Sequence, residues 1–303
     1  MKCEDKRKNR EVAGLRISRA LRTDPGGRGL LAGPIPDQTR ELFSLLQDMR
    51  CVYLISGFPV RREDGVVVGE TDGPLGTANI AWALEQRGVD VLAMTDETCH
   101  PQLQAAFKAR GCRCLPAAVP AQDRQTFFES VVKAFPPTHL ITLERPGKAK
   151  DGHFYNMRGG QIDAMLTDLE AVMEAVRRAG GKIISVGDGG NELGMGALRP
   201  LIEERVPHGE LICADAAADA ALVSGVSNWW GWGIAAFCSL LEGRDLLPSP
   251  ETEQAMLRAV IETGGADGCT GRREETVDDL PAAVHLALLE QVGDILRESL
   301  AKK

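Results

Sequence analysis

Short apolar runs rich in β-branched residues alternate along this chain with longer stretches of helical period. CVYLIS, from Cys51, is followed by a helical pattern from Ala78 to Gln86. VDVLAMT, ending at Thr95, precedes one from Gln102 to Arg110, and HLITL, from His139, precedes one from Ile162 to Ala179. KIISV, ending at Val186, and ELICA, ending at Ala214, continue the series. Repeated alternation of this kind predicts an α/β fold of three layers, a largely parallel sheet with helices on both faces.

Such sheets carry ligands beyond the carboxyl ends of their strands. Each run here is followed by polar or glycine-containing residues: Gly57 to Pro59, Thr95 to Glu97, Glu144 to Gly147, Gly187 to Gly190, and Asp215 after ELICA. Five strand ends are thus expected along one edge. The flanks differ in character. Leu15 to Leu31 reads as a possible helix ending in the turn-rich DPGGRG, and Pro248 to Lys303 as two amphipathic helices around GGADGCTG. With no repeat and no low-complexity linker, one domain over residues 1–303 is expected, with residues 1–23 at its periphery.

Composition narrows the partners. The 303 residues are 44% hydrophobic and 26% charged, enough for a full core. A formal net charge of -8, from 43 acids against 35 Lys and Arg, argues against a nucleic acid or an anionic membrane and makes a small molecule the better partner, an acidic substrate once the basic loop that begins at Glu144 is counted. Without an apolar run near the length of a membrane span or the core of a signal peptide, a soluble cytoplasmic protein is expected. The eight cysteines are scattered, with no CxxC pair, and read as reduced thiols. The five histidines form no HExxH, and neither GxSxG nor GxxxxGK[ST] occurs. Zinc catalysis, serine hydrolysis and P-loop chemistry therefore lack their residues, and no nucleotide, flavin or PLP is expected. The tryptophan-rich SNWWGWG leaves room for a homo-oligomer contact, a core segment or a pocket wall.

The chemistry then falls to acids near glycines. GDGGNELGMG follows KIISV directly and sets Asp188 and Glu192 beside Gly189, Gly190 and Asn191. Acids among glycines point to a metal or proton-transfer site more than to a plain phosphate cradle. In ETDGPLG, Asp72 is either a helix cap or a site residue, whereas Glu70 has no capping role. ERPGKAKDGHFYNMRG, from Glu144, is too polar and glycine-broken for a helix and reads as an anion-binding loop. There the guanidinium of Arg145 or Arg158 can grip a carboxylate at two points, unlike Lys148 and Lys150. Asp215 and Asp219 stand four residues apart, which would put both on one face of a helix, and Ser227 and Asn228 open the tryptophan segment.

Taken together, SGFPV, ETDGPLG, ERPGKAKDGHFYNMRG, GDGGNELGMG and DAAAD with SGVSNWWGWG resemble the D-glutamate cyclase family, in its carboxy-terminal domain. The resemblance runs from about Asp24 to the end of the chain and is strongest from Ser56 to Gly233. It implies a carbon-oxygen lyase that converts D-glutamate to 5-oxo-D-proline and water. By motif position it implies Glu70, Asp72, Glu144, Arg145, Asp188, Asn191, Glu192, Asp215, Ser227 and Asn228 as pocket residues.

Chemical inference assigns acid-base work to Asp188, Glu192 and Asp72, and substrate contacts to Arg145, Arg158, Gly189, Gly190, Asn191, Ser227 and Asn228. A divalent cation, Mg or Mn, is expected on Glu70, Asp72, Asp188, Glu192 and Asp215. The same acids suit a Mg- or Mn-dependent phosphatase, and the same edge suits a module that binds an acidic metabolite without transforming it.

Overall fold

The computed structural model describes residues 2–302. Its centre is a six-stranded parallel sheet in the order β5-β4-β1-β6-β7-β8. The strands are β1 (Cys51–Ser56), β4 (Asp90–Asp96), β5 (Ala117–Val119), β6 (His139–Leu143), β7 (Lys182–Gly187) and β8 (Ala220–Val223). Two small antiparallel pairs stand apart from it, β2 (Pro59–Arg61) with β3 (Val67–Gly69), and β9 (Thr276–Val277) with β10 (Leu280–Pro281). The helices are α1 (Lys2–Leu21), α2 (Thr39–Gln47), α3 (Pro74–Gln86), α4 (His100–Arg110), α5 (Arg124–Ala134) and α6 (Ala171–Arg178). They continue with α7 (Arg199–Arg205), α8 (Gly209–Ile212), α9 (Asn228–Glu242), α10 (Pro250–Glu262) and α11 (Ala282–Leu300).

Successive side chains of a strand point to opposite faces, and the core follows that rule. Val52 and Leu54 of β1, Ile141 and Leu143 of β6, and Ile184 and Val186 of β7 face the larger cluster, with α1, α3, α9 and α11. Tyr53, Ile55, Leu140 and Ile183 face the smaller one, with Phe128 of α5 and Val172 and Val176 of α6. This is the expected three-layer α/β arrangement. The chain winds outward from β1 through β4 to β5, then crosses to β6 and winds out through β7 to β8. Strand order therefore reverses between β1 and β6, where a crevice opens beyond the strand ends.

Four expectations change. ELICA is not a strand: Gly209–Ile212 form the short helix α8, and the last strand is β8, all four of whose residues are buried. A short apolar run does not distinguish strand from helix by periodicity, and this one is helical. Asp215 and Asp219 consequently share no helix face; Asp219 instead accepts the amide of Ile183 at 2.9 Å, just ahead of β8. The helix expected over 162–179 is confined to α6 after a 3-10 turn at Asp163–Met165, because the strand ends pull residues 166–169 out of helical geometry. Thr167 donates its amide to Asp96 at 3.2 Å and accepts a hydrogen bond from Arg145. Finally, the amino-terminal helix spans Lys2–Leu21 and is not peripheral, for Ala13, Ile17 and Leu21 are buried in the large cluster.

The three clustered tryptophans lie in α9 at 1% exposure each, which makes them core. Cys51, Cys99, Cys112, Cys114, Cys213, Cys238 and Cys269 are free thiols. No helix among the described residues is long and apolar enough to cross a membrane.

Candidate functional site

At the reversal point three acids meet. Glu144 follows β6, Asp188 follows β7, and Asp72 sits between β3 and α3; one carboxylate oxygen from each lies within 4.8 Å of the others. All three are buried, as are Glu70 and Asp278 beside them. Glu144 holds a φ of 45°, a left-handed conformation that a residue with a long side chain seldom adopts. Strain of that kind persists where the surroundings over-determine the backbone, and it turns this carboxyl into the crevice. Asp278 has a φ of 57° and Asp279 of 60°, the two central residues of the turn joining β9 to β10. A two-residue hairpin of type I′ needs positive φ at both positions, and aspartate tolerates it without glycine.

The acids differ in how much of their hydrogen-bonding capacity is already committed. Glu192 accepts the amides of Asp188 and Gly189 on Oε1, at 2.8 and 2.7 Å, and that of Gly190 on Oε2 at 2.7 Å. It therefore closes the glycine turn, and the amides of Gly189 and Gly190 are not free to receive an oxyanion. Asp267 is similarly occupied, taking the amides of Cys269, Thr270 and Asp279. Asp72 accepts from Gly73, Ser227 and Asn228; it does not cap the helix that follows it, whose N-cap is Gly73, but instead takes the amides at the start of α9. In contrast, Glu144 Oε2, Asp188 Oδ2 and Asp278 Oδ2 are buried without a hydrogen-bond partner. Buried polar atoms are nearly always paired, so such oxygens around one crevice, two of them within the close group, mark a place built for something else.

Electrostatics follow from this crowding. Burial first, then Asp278 and Asp72, push the Glu70 carboxyl well above its ordinary range. Burial and Asp278 raise Asp72 to about 8 against the pull of the Asn228 and Ser227 amides. Glu144 is held well above normal by burial, Asp188 and Glu192; Asp188 is held there by burial and Asp278, with Arg28 opposing. Among them stands one guanidinium. Arg28 Nη2 lies 3.4 Å from Asp188 Oδ2 and is ion-paired with Asp278. Burial works against its charge, but the two carboxylates hold the group charged.

The cluster opens into a cavity of about 400 Å³. Glu70, Glu144 and Asp278 form its acidic wall, Arg28, Arg61 and Arg158 its basic one, and Phe58, Met157 and Ile162 an apolar side. Its volume falls at the small end of small-molecule sites. A Cβ at Gly268 would come within 1.7 Å of Glu70 Oε2, so a larger residue there displaces that carboxyl.

Of the sequence-derived candidates, Glu70, Asp72, Asp188 and Glu192 are brought together; Asn191 and Arg158 line the cavity. Ser227 and Asn228 stand behind Asp72 at the start of α9. Arg145 is elsewhere: its guanidinium bonds Asp96 at 2.8 Å, the carbonyl of Gly57 at 3.0 Å and that of Thr167, so it braces loops from within. Asp215 is exposed and paired with Arg199 at 2.8 Å, outside the cluster and the cavity lining. Arg28 and Asp278 were not among the sequence candidates. Their only signals were the DPGGRG turn and the paired aspartates of VDDL.

A family model described as D-glutamate cyclase-like, C-terminal, matches residues 17–293. Human mitochondrial D-glutamate cyclase is 27% identical over 90% of this chain, which spans about 50% of that relative's length. Among solved structures, an exopolyphosphatase-related protein from Bacteroides fragilis aligns over 87% of this chain and 60% of its own, at 10% identity and a TM-score of 0.35.

Proposed function

The chain belongs to the D-glutamate cyclase-like C-terminal family, and from that premise we propose that its cavity closes D-glutamate to 5-oxo-D-proline with loss of water. The observation that carries the reading is the union of a buried acid cluster, with unpartnered oxygens, and a rim of arginines in one small cavity. Ring closure forms a bond from the α-nitrogen to the γ-carboxyl carbon and breaks a carbon-oxygen bond. Two protons leave nitrogen and two join the departing oxygen.

Glu70 and Glu144 face the cavity with raised proton affinity, the property that a group exchanging protons with an ammonium and a leaving oxygen needs near neutral pH. Glu70 is assigned the exchange, taking protons from the α-nitrogen and returning them to the leaving oxygen, while Glu144 stands beside it on the acidic wall. Arg158 and Arg61 hold the α-carboxylate, which their planar forks suit. The acid wall also disfavours a substrate that carries only negative charge, and an α-ammonium meets that demand.

Asp72, Glu144 and Asp188 offer hard oxygen donors, two of them with unpartnered atoms, and so fit a divalent cation such as Mg or Mn. When bound there, such an ion supplies polarisation of a carboxyl oxygen. Turnover of glutamate by the metal-stripped chain, with and without added Mn, tests the reading. Recovery of 5-oxoproline on adding Mn supports it. Hydrolysis of a phosphate monoester instead, with no 5-oxoproline, would replace it with metal-dependent phosphate chemistry.

A further inference from the structure

Five buried carboxyl groups, those of Glu70, Asp72, Glu144, Asp188 and Asp278, are more than one divalent cation needs. In two-metal sites the ions stand about 4 Å apart and share such carboxylates. Here one position is already filled by the chain itself. We propose that Arg28 is the resident second cation of the cluster, so that the site takes a single divalent ion on Asp72, Glu144 and Asp188 while the guanidinium neutralises the Asp188–Asp278 side. This rests on the metal-assisted reading above.

Arg28 is held in place by its own backbone. Asp24 accepts the amides of Arg28 at 2.9 Å and Gly29 at 3.0 Å, and its carbonyl accepts that of Gly27 at 3.2 Å. The turn is wedged against Gly225, where an added Cβ would stand 2.2 Å from the Thr23 carbonyl oxygen. The side chain that emerges is 17% exposed and reaches both Asp188 and Asp278. Asp278 is fixed from the opposite end of the sequence: the amide of Asp279 donates to Asp267 at 2.8 Å and locks the left-handed turn. Two independent scaffolds thus deliver the pair.

The remaining oxygens argue in the same direction. Asp188 Oδ2 stands in an ion pair 3.4 Å from Arg28 but accepts no directed hydrogen bond, and Asp278 Oδ2 accepts none either, though the side chain is 2% exposed. Arg28 therefore supplies charge without saturating the donors, as a cation in a wider coordination group does. A guanidinium stays charged at any working pH and cannot be displaced by a proton, which makes it a permanent occupant.

The test is Mn stoichiometry of the full chain at equilibrium dialysis, read together with the electron paramagnetic resonance spectrum of bound Mn. Wild type is expected to bind one Mn per chain with an uncoupled spectrum. Arg28→Gln is expected to bind two, with the exchange-coupled spectrum of neighbouring ions, and Arg28→Lys to remain at one. Two Mn in wild type, or one uncoupled Mn in Arg28→Gln, overturns the proposal and leaves the metal reading intact. No Mn in wild type overturns both. Should Arg28→Gln fail to fold, the wild-type stoichiometry and Arg28→Lys decide: wild type at one and Arg28→Lys at one supports the assignment, and two in either overturns it.

Discussion

Asp72 and Asn228 cap each other's helices. Asp72 accepts the amides of Ser227 at 2.8 Å and Asn228 at 2.7 Å at the start of α9, while the Asn228 side chain accepts those of Gly73 at 3.0 Å and Gly76 at 2.7 Å at the start of α3. The amide nitrogen of the same side chain donates to Thr71 at 3.0 Å. An acid of the cluster is thereby set by the two helices whose amino termini point at it, and helix termini of that polarity favour negative charge.

Removing one half of this clasp leaves buried amides without acceptors. Asn228→Ala is expected to destabilise the fold by about 2–4 kcal/mol, since each orphaned buried donor costs about 1–3 kcal/mol. Urea unfolding measures it. A loss under about 0.5 kcal/mol, the range of ordinary surface changes, would show that the clasp is not structural.

The two helices also touch through glycine. A Cβ on Gly231 would lie 2.3 Å from the Cα of Gly76, which no rotamer relieves. Gly231→Ala is expected to cost about 3 kcal/mol or more, at the upper end of overpacking penalties, and to lower the melting temperature accordingly. An unchanged melting temperature would contradict the close crossing.

Stability and function are expected to separate within the cluster. Glu192 satisfies three amides of the glycine turn, so Glu192→Ala should lose stability by several kcal/mol, on the order of 1–3 for each orphaned amide. Around Glu70, burial and the like charges of Asp278 and Asp72 outweigh the opposing pull of Arg28. Glu70→Gln should therefore melt higher than wild type at pH 8 yet lose turnover at least about a hundredfold, as removal of an acid-base group does. Equal stability loss in both variants would undo the distinction.

Much of this was legible and some was not, for physical reasons. Strands β1, β4, β6 and β7 are covered on both faces and show as apolar runs, so the sheet and the positions of Glu144 and Asp188 at its edge followed from pattern. The last strand, AALV, is only four residues long and half alanine, a weak strand former, whereas ELICA just ahead of it carries a leucine beside a β-branched isoleucine and reads as a strand. Asp215, which follows ELICA, therefore ends no strand and lies on the surface with Arg199. Arg28 and Asp278 lie 250 residues apart in sequence, brought together by turns at opposite ends of the chain. No local spacing announces such a pair. Arg145 failed differently, since its residue type suits both an anion contact and the internal brace with Asp96 that it makes.

Glu253 makes stability depend on pH away from the cluster. Burial raises its carboxyl to about 7, although Asn79 donates to it at 2.9 Å. The folded state then binds a proton more tightly than the unfolded one, so stability is greatest below the unfolded value and falls as pH rises toward 7. The difference amounts to roughly 3 kcal/mol above that point, at 1.36 kcal/mol per unit. Glu253→Gln should melt higher than wild type at pH 8 and match it at pH 4. The same difference at both pH values would contradict this assignment.

The most direct measurement is the proton NMR time course of D-glutamate and of L-glutamate with the Mn-loaded chain at substoichiometric concentration. The account expects many turnovers of D-glutamate to 5-oxo-D-proline with one water lost per molecule, and far slower conversion of the L-enantiomer. A folded, Mn-loaded chain that leaves D-glutamate unchanged over many hours would contradict it.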